Sequence, residues 1–365
     1  MELLTRLAEL PAPIYLSGTT AMQYYLERRL PSVVTISIVG DLIDIAKNFT
    51  DPAYTSIEGI DAIAEMDGST LLITCRDTRP EPSGTPGNDL DHWHYDTSKN
   101  IFIDEDCVYR RLRDGELEGS VPADSAMLHT VIALSQLPLN PGPVLQRSIA
   151  SHNRTAEVPG DMQKILLSTI LSGRYAHVGL NTLYKTGWIN HMWPNLALLN
   201  MTEQGKSEHP EGNVWQHSLE ALKYRKSIDL RVSLAILLHD IGKPHAQRTQ
   251  QHRFHLHADI GARIASRHLQ NIGFDAQTIA DVCWLIRYHS IPGALEQLPS
   301  HRSAPLMSNP LFPLLLELYR CDLSATYRGP EGYYRACTVY RRFLKHNRNP
   351  FRDPAGKKLL NSLVE

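Results

Sequence analysis

Val232-Ser-Leu-Ala-Ile-Leu-Leu-His239-Asp240-Ile-Gly-Lys243-Pro244 is an apolar run that ends in an adjacent histidine and aspartate. Its hydrophobicity and length predict a buried helix over 230–239. Gly242 and Pro244 are expected to break that helix. A carboxylate at the end of a buried helix is costly unless something neutralises it. A divalent cation would do so, and imidazole with carboxylate suits borderline and hard divalent ions.

Further ligand types flank this stretch. His217 stands in Trp215-Gln-His217-Ser-Leu-Glu220, and His257 in Phe254-His-Leu-His257-Ala-Asp-Ile-Gly-Ala262. His289 ends Leu285-Ile-Arg-Tyr-His289, and Asp322 ends Leu316-Glu-Leu-Tyr-Arg-Cys-Asp322. Each is on or beside a segment of helical periodicity: 214–225, 230–239, 260–273, 275–289 and 311–326. Further helices are predicted over 162–171 and 180–186, with stop signals at Gly173, Gly187 and Gly273. Packed helices can aim such side chains at one point. The basic stretch 341–358 reads as a helix with a loose tail.

The first 125 residues read differently. Segments 31–39 and 69–75 are β-branched and strand-like, and 101–104 is a short third strand. A helix is expected over 21–29, and 79–88 is a proline- and glycine-rich loop. The region is α/β in character.

The whole chain bounds the function class. It has 365 residues, 42% hydrophobic and 21% charged, with a formal charge of -2. That excludes a polycation and an acidic disordered chain. Five cysteines lack CxxC spacing, which argues against a zinc ribbon or a disulfide framework and fits a reducing cytosol. No apolar run approaches the ~20 residues of a membrane helix. Met1–Leu10 lacks the basic start and long apolar core of a signal peptide. The 17 histidines are the unusual count, and their placement carries the functional reading.

His217, His239-Asp240 within His-Asp-Ile-Gly-Lys243, and Asp322 together resemble the HD superfamily of metal-dependent phosphohydrolases. His257 and His289 resemble the subset that holds two metals. The resemblance implies one ion on His217, His239 and Asp322 and a second on His257 and His289, with Asp240 bridging. The ions would be Mn, Fe, Co, Ni, Zn or Mg. Two close metals clamp a phosphoryl group and acidify a water between them. Asp240 and Lys243 are the expected catalytic residues, Lys243 by binding a non-bridging phosphate oxygen. Arg248, Arg263 and Arg287 are the expected further phosphate contacts.

A second resemblance covers more of the chain. Met192-Trp-Pro-Asn-Leu-Ala-Leu-Leu199, His209-Pro-Glu-Gly-Asn-Val-Trp-Gln-His217, Phe254–Ala262 and Leu183-Tyr-Lys-Thr-Gly-Trp188 are similar to segments of bacterial tRNA nucleotidyltransferases, the CCA-adding enzymes. That likeness runs from about residue 160 to 327. It implies an α+β nucleotidyltransferase-like head followed by a mainly α-helical HD domain. The expected divisions are a head at 1–125, a helical neck at 126–205, the HD domain at 206–330 and a basic helical tail at 331–365.

Tyr15-Leu-Ser17-Gly18-Thr19 then sits where the family has its glycine loop. The family's head also needs an Asp-x-Asp pair on the next strand for two magnesium ions. Here Thr35 and Ser37 stand at that spacing, and the strand at 71–75 lacks the third acid. Asp41 and Asp44 read as a helix cap or a solvated face. The head is therefore expected to be degenerate.

The leading expectation is a phosphohydrolase or phosphodiesterase acting on a nucleotide or an RNA 3'-end, such as a 2',3'-cyclic phosphate or a 2'-phosphate, with tRNA among the substrates considered. One alternative is an RNA- or tRNA-binding protein with a vestigial HD site, its tail contacting phosphates through Arg341, Arg342, Lys345, Arg348, Arg352, Lys357 and Lys358. Another is a tRNA nucleotidyltransferase with displaced carboxylates.

Overall fold

The computed structural model describes residues 2–57, 59–80, 87–104, 106–152, 157–204, 212–247 and 254–346. The chain divides into two units, Met1–Trp188 and Ile189–Glu365. Among the described residues, no helix is long and apolar enough to cross a membrane.

The first unit is built on a mixed sheet of strands β1 (Ile14–Ser17), β2 (Val33–Val39), β3 (Ala53–Tyr54), β4 (Ala62–Met66), β5 (Ser69–Arg76), β6 (Trp93–Asp96) and β7 (Ile101–Asp104). The order is β3-β4-β5-β2-β1-β6-β7. Within this sheet, among the described residues, only β2 and β5 pair in parallel, with Ser37 opposite Thr74. Helices α1 (Glu2–Glu9), α2 (Gly18–Glu27), α3 (Leu42–Asn48), α4 (Tyr109–Arg113), α5 (Asp124–Gln136), α6 (Pro143–Ser151), α7 (Gly160–Ser172) and α8 (Ala176–Lys185) complete it.

The period of two along β2 sorts its side chains. Val34, Ile36 and Ile38 are fully buried on one face. Thr35 and Ser37 alternate with them and line a cavity on the other. Gly18 takes φ +57 at the turn from β1 into α2, a conformation that favours glycine. Asp41 caps α3, accepting from the Ile43 and Asp44 backbone N–H groups, while the Asp44 carboxylate accepts from the Asp41 N–H. These two acids are a capping box, as a helix-start reading of their spacing expects.

The division falls within α9 (Trp188–Met192). The second unit continues with α10 (Pro194–Ala197), α11 (Val214–Lys223), α12 (Leu230–Leu238), α13 (His257–Asn271), α14 (Ala276–Tyr288), α15 (Ile291–Ala294), α16 (Ser300–Met307), α17 (Phe312–Ser324) and α18 (Glu331–His346). Its core holds Trp193, Trp215 and Phe312, all fully buried. Asn213, Asp229 and Asp275 start α11, α12 and α14 by accepting backbone N–H bonds with their side chains.

The last helix, α18, starts at Glu331, where the basic helical tail is expected, and runs into the basic stretch that begins at 341. Tyr333, Ala336, Cys337 and Tyr340 are buried, a helical i, i+3, i+4, i+7 stripe. Most of its aromatic surface is therefore core, although Tyr334 is exposed. Arg348, Arg352, Lys357 and Lys358 of the expected tail lie outside the described residues.

Candidate metal centre

Five helices of the second unit bring six ligand-type side chains together. His217 comes from the first turn of α11, His239 caps the C-terminus of α12, and Asp240 follows it. His257 opens α13, His289 caps α14, and Asp322 lies near the end of α17. His217, His239, Asp240 and His289 are buried.

A close approach of backbone joins α12 to α13. A Cβ on Gly242 would lie 2.1 Å from the His257 carbonyl oxygen and 2.5 Å from the Gly261 nitrogen. Gly242 itself has φ -82, so it serves here by its lack of a side chain rather than by a left-handed turn. Helix α12 ends before it, at Leu238, as the sequence expects. Leu256, just before His257, does adopt the left-handed region at φ 55. For a residue with a Cβ this costs ~1–2 kcal/mol.

The histidine hydrogen bonds settle which nitrogen faces the centre. His239 Nδ1 lies 2.8 Å from the Ile236 carbonyl, His257 Nδ1 2.9 Å from that of Phe254, and His289 Nδ1 2.7 Å from that of Ile286. A carbonyl only accepts, so each Nδ1 carries the hydrogen. In the neutral ring Nε2 then presents a lone pair. His239 and His289 also satisfy carbonyls in the last turns of their own helices, which fixes ring orientation.

The Nε2 atoms converge with the carboxylates. His217 Nε2 is 2.9 Å from Asp322 Oδ1, and His239 Nε2 is 3.8 Å from the same oxygen. His239 Nε2 lies 3.2 Å from Asp240 Oδ2, and His257 Nε2 lies 3.5 Å from Asp240 Oδ1. The Nε2 atoms of His257 and His289 are 3.3 Å apart. Facing lone pairs at that distance call for a cation. His239 Nε2 is buried with no hydrogen-bond partner, the same demand in another form.

Two sets of ligand atoms are close enough to hold an ion: His217, His239 and Asp240, and Asp240, His257 and His289. Asp240 is common to both. The donors present therefore fit one or two divalent cations, with Asp322 beside the first set.

Electrostatics agree with that arrangement. Burial works to raise the Asp240 carboxyl, but the neighbouring His239, Lys243 and His257 outweigh it and hold it well below the usual carboxylate range. Burial opposes ionisation of Asp322 too, and is outweighed by the His217 hydrogen bond and by His239 and His289. Burial, with His239 beside it, pushes the His289 imidazole down to about 4. Both carboxylates are ionised and His289 is neutral at pH 7, the forms that bind metal.

Lys243 sits at the rim, its Nζ 2.5 Å from Asp240 Oδ2 and 2.5 Å from Gln204 Oε1. Gln204 carries no ligand signal in the sequence and was missed. Its side chain is buried, and its Nε2 meets no hydrogen-bond partner. Its backbone N–H bonds the Gly212 carbonyl beside the Glu203–Asn213 bridge that leads into α11. A bridge formed across a loop leaves no periodic trace in the sequence.

The other expected phosphate contacts lie differently. Arg263 is exposed on α13. Arg287 is exposed on α14 and pairs with Asp259 at 3.2 Å. Arg248 lies outside the described residues. His255, beside His257 in the sequence stretch, is exposed.

Residues 214–322 match the family profile described as "HD domain". The second unit carries an HD domain. This HD region spans all six ligand-type residues, whereas Gln204 precedes it. Beyond it, the chain is 32% identical over 197 residues to the CC-adding tRNA nucleotidyltransferase of Thermus thermophilus, covering 51% of this chain and 43% of that protein. It is 28% identical over 174 residues to the A-adding tRNA nucleotidyltransferase of Deinococcus radiodurans, covering 46% and 39%. The chain thus spans less than half the length of these relatives. Among solved structures, it resembles the Bacillus stearothermophilus CCA-adding enzyme in complex with CTP, at TM-score 0.53 and 15% identity, over 94% of this chain and 81% of that one. At that identity the likeness is one of fold. A mixed-sheet head followed by a helical HD region is the shared architecture.

Proposed function

We propose that the HD unit is a divalent-metal-dependent phosphohydrolase or phosphodiesterase acting on a nucleotide or an RNA-end phosphate. The observation that carries this reading is the sharing of Asp240 between two convergent ligand sets. In this reading His217, His239 and Asp322 hold one ion, His257 and His289 hold the other, and Asp240 joins them. The ions, when bound, supply Lewis acidity and an acidified water for attack on phosphorus. The chain's own residues do the remainder. The Nδ1–H bonds keep the imidazoles oriented. Lys243, released from Asp240 when that carboxylate is engaged, stays tethered by Gln204 and offers its ammonium to a non-bridging phosphate oxygen. The names of the similar proteins favour RNA, and tRNA in particular, as the substrate class. A 2',3'-cyclic phosphate or a 2'-phosphate is the reading we adopt.

The test is hydrolysis of 2',3'-cyclic AMP, 2'-AMP, 3'-AMP and bis-p-nitrophenyl phosphate by purified protein with each of Mn, Fe, Co, Ni, Zn and Mg. Turnover should require metal and vanish in Asp240→Asn. Absence of turnover on all four esters, with folded and metal-loaded protein, would sink the proposal.

A further inference from the structure

Gln204 lies outside the residues that match the HD profile, yet its side chain reaches the metal centre. It belongs to the same unit as the six ligand-type residues. The segment that carries it is fastened to α11. The Gln204 backbone N–H donates to the Gly212 carbonyl at 3.0 Å, and the Val214 N–H donates to the Thr202 carbonyl at 3.0 Å. Between these bonds Glu203 and Asn213 form an antiparallel bridge. Asn213 caps α11, whose first turn supplies His217. The stretch before the HD region is thereby held against the helix that carries the first histidine.

The Gln204 residue is only 5% exposed, and the two ends of its amide differ. Oε1 accepts a hydrogen bond from Lys243 Nζ at 2.5 Å. An ammonium only donates, so that contact fixes which end of the amide is oxygen. Nε2 keeps its N–H donors and, among the described residues, meets no hydrogen-bond partner. A buried donor left without an acceptor destabilises the fold. An apolar side chain of the same length would fill the space without that cost, so packing does not account for a glutamine here.

The stranded donor has a definite neighbourhood. Nitrogen and oxygen of one amide share a carbon, so Nε2 sits beside the Lys243 ammonium. That ammonium lies 2.5 Å from Asp240 Oδ2, on the carboxylate common to both ligand sets, and 5.5 Å from the centre of the Phe254 ring. A charged donor and a neutral donor therefore stand side by side at the rim of the centre.

We propose that Gln204 is a substrate contact, its Nε2 donating to a non-bridging oxygen of the phosphoryl group that Lys243 also binds. The phosphate then supplies the acceptor that the folded chain withholds. This inference rests on the phosphate-ester reading of the HD centre and adds to it a recognition residue from outside the HD region.

The experiment is calorimetric titration of the manganese-loaded full chain with inorganic phosphate. Gln204→Met keeps the length of the side chain and removes both polar ends. It should weaken phosphate binding at least about 10-fold, with manganese affinity and the thermal midpoint not lowered. Placed on Lys243→Met, the same substitution should weaken binding at least about 5-fold more than Lys243→Met alone, because Nε2 touches the phosphate directly. No added loss on that background would reduce Gln204 to a tether for Lys243 and overturn the proposal. So would wild-type phosphate affinity in Gln204→Met, a loss of manganese binding in that variant, or no phosphate binding by the wild-type chain. The readout does not depend on turnover. A chain that binds phosphate through Gln204 but hydrolyses none of the four esters would sink the proposed activity and keep this contact.

Discussion

The head cavity and the HD centre of this chain solve opposite electrostatic problems. The HD centre buries Asp240 and sets four imidazoles and Asp322 around it, leaving lone pairs aimed at one another. The head sets hydroxyls, Thr35 and Ser37, on the polar face of β2. Buried carboxylates require a counter-charge, and hydroxyls require only hydrogen bonds. The HD unit therefore has an energetic need for a cation that the head lacks. The apolar face of β2 that builds the core is separate from the polar face that lines the cavity.

The sharpest way to break this contrast is Asp240→Asn. Replacing a ligand common to both sets should cut metal-dependent hydrolysis by at least about 10²-fold, the upper range for losing even an outer-sphere partner. Unchanged turnover would remove Asp240 from the reaction. Metal itself is the next lever. Free metal at about 100 times Kd should stabilise the HD unit by ~2.7 kcal/mol, read by differential scanning calorimetry, whereas the head's transition stays put. A shift in both transitions would erase the distinction.

Gly242→Ala tests the backbone contact that seats His257 beside Asp240. The added Cβ lies 2.1 Å from a carbonyl oxygen, so overpacking of ~1–3 kcal/mol is expected, with weaker metal binding. An unchanged urea midpoint would refute that role. The pH dependence probes burial without metal. Burial lowers His268 in the HD unit to about 4, below its ordinary 6.5. The unfolded chain then binds the extra proton, so this contribution is full above pH 6.5 and is lost as pH falls through 4. His268→Gln should flatten the fall in stability between those values by roughly 1–2 kcal/mol. Smallest is Ser37→Ala in the head, which loses one hydrogen bond to Ser17 and should cost about 1 kcal/mol with no change in metal response.

The ligand-type residues were legible because metal-binding chemistry restricts residue type. A buried helix ending in His239-Asp240 is conspicuous, and His217, His257, His289 and Asp322 sit at helix positions that periodicity reveals. Gln204 left no such mark, since glutamine is an ordinary surface residue until a fold buries it. The same limit hid α5 and β6. Helix α5 is buried almost all round, so it shows no amphipathic stripe, and Ala123 before it gives no cap. Trp93-His-Tyr-Asp96 looks polar, yet all four residues are buried between β1 and β7. Helix α18 did carry its stripe, at Tyr333, Ala336, Cys337 and Tyr340, and it starts at Glu331, where the basic helical tail was expected.

By itself, the sequence determined which atoms are available: the imidazoles and carboxylates of an HD centre, and the hydroxyls standing at Thr35 and Ser37. Those follow from side-chain chemistry, which needs no coordinates. Only the tertiary structure decided where the lone pairs point. Carbonyls of Ile236, Phe254 and Ile286 take the Nδ1 hydrogens, and the contact at Gly242 brings α13 against the end of α12. Hydrogen-bond direction and backbone approach arise between segments distant in the chain, and no local pattern encodes them.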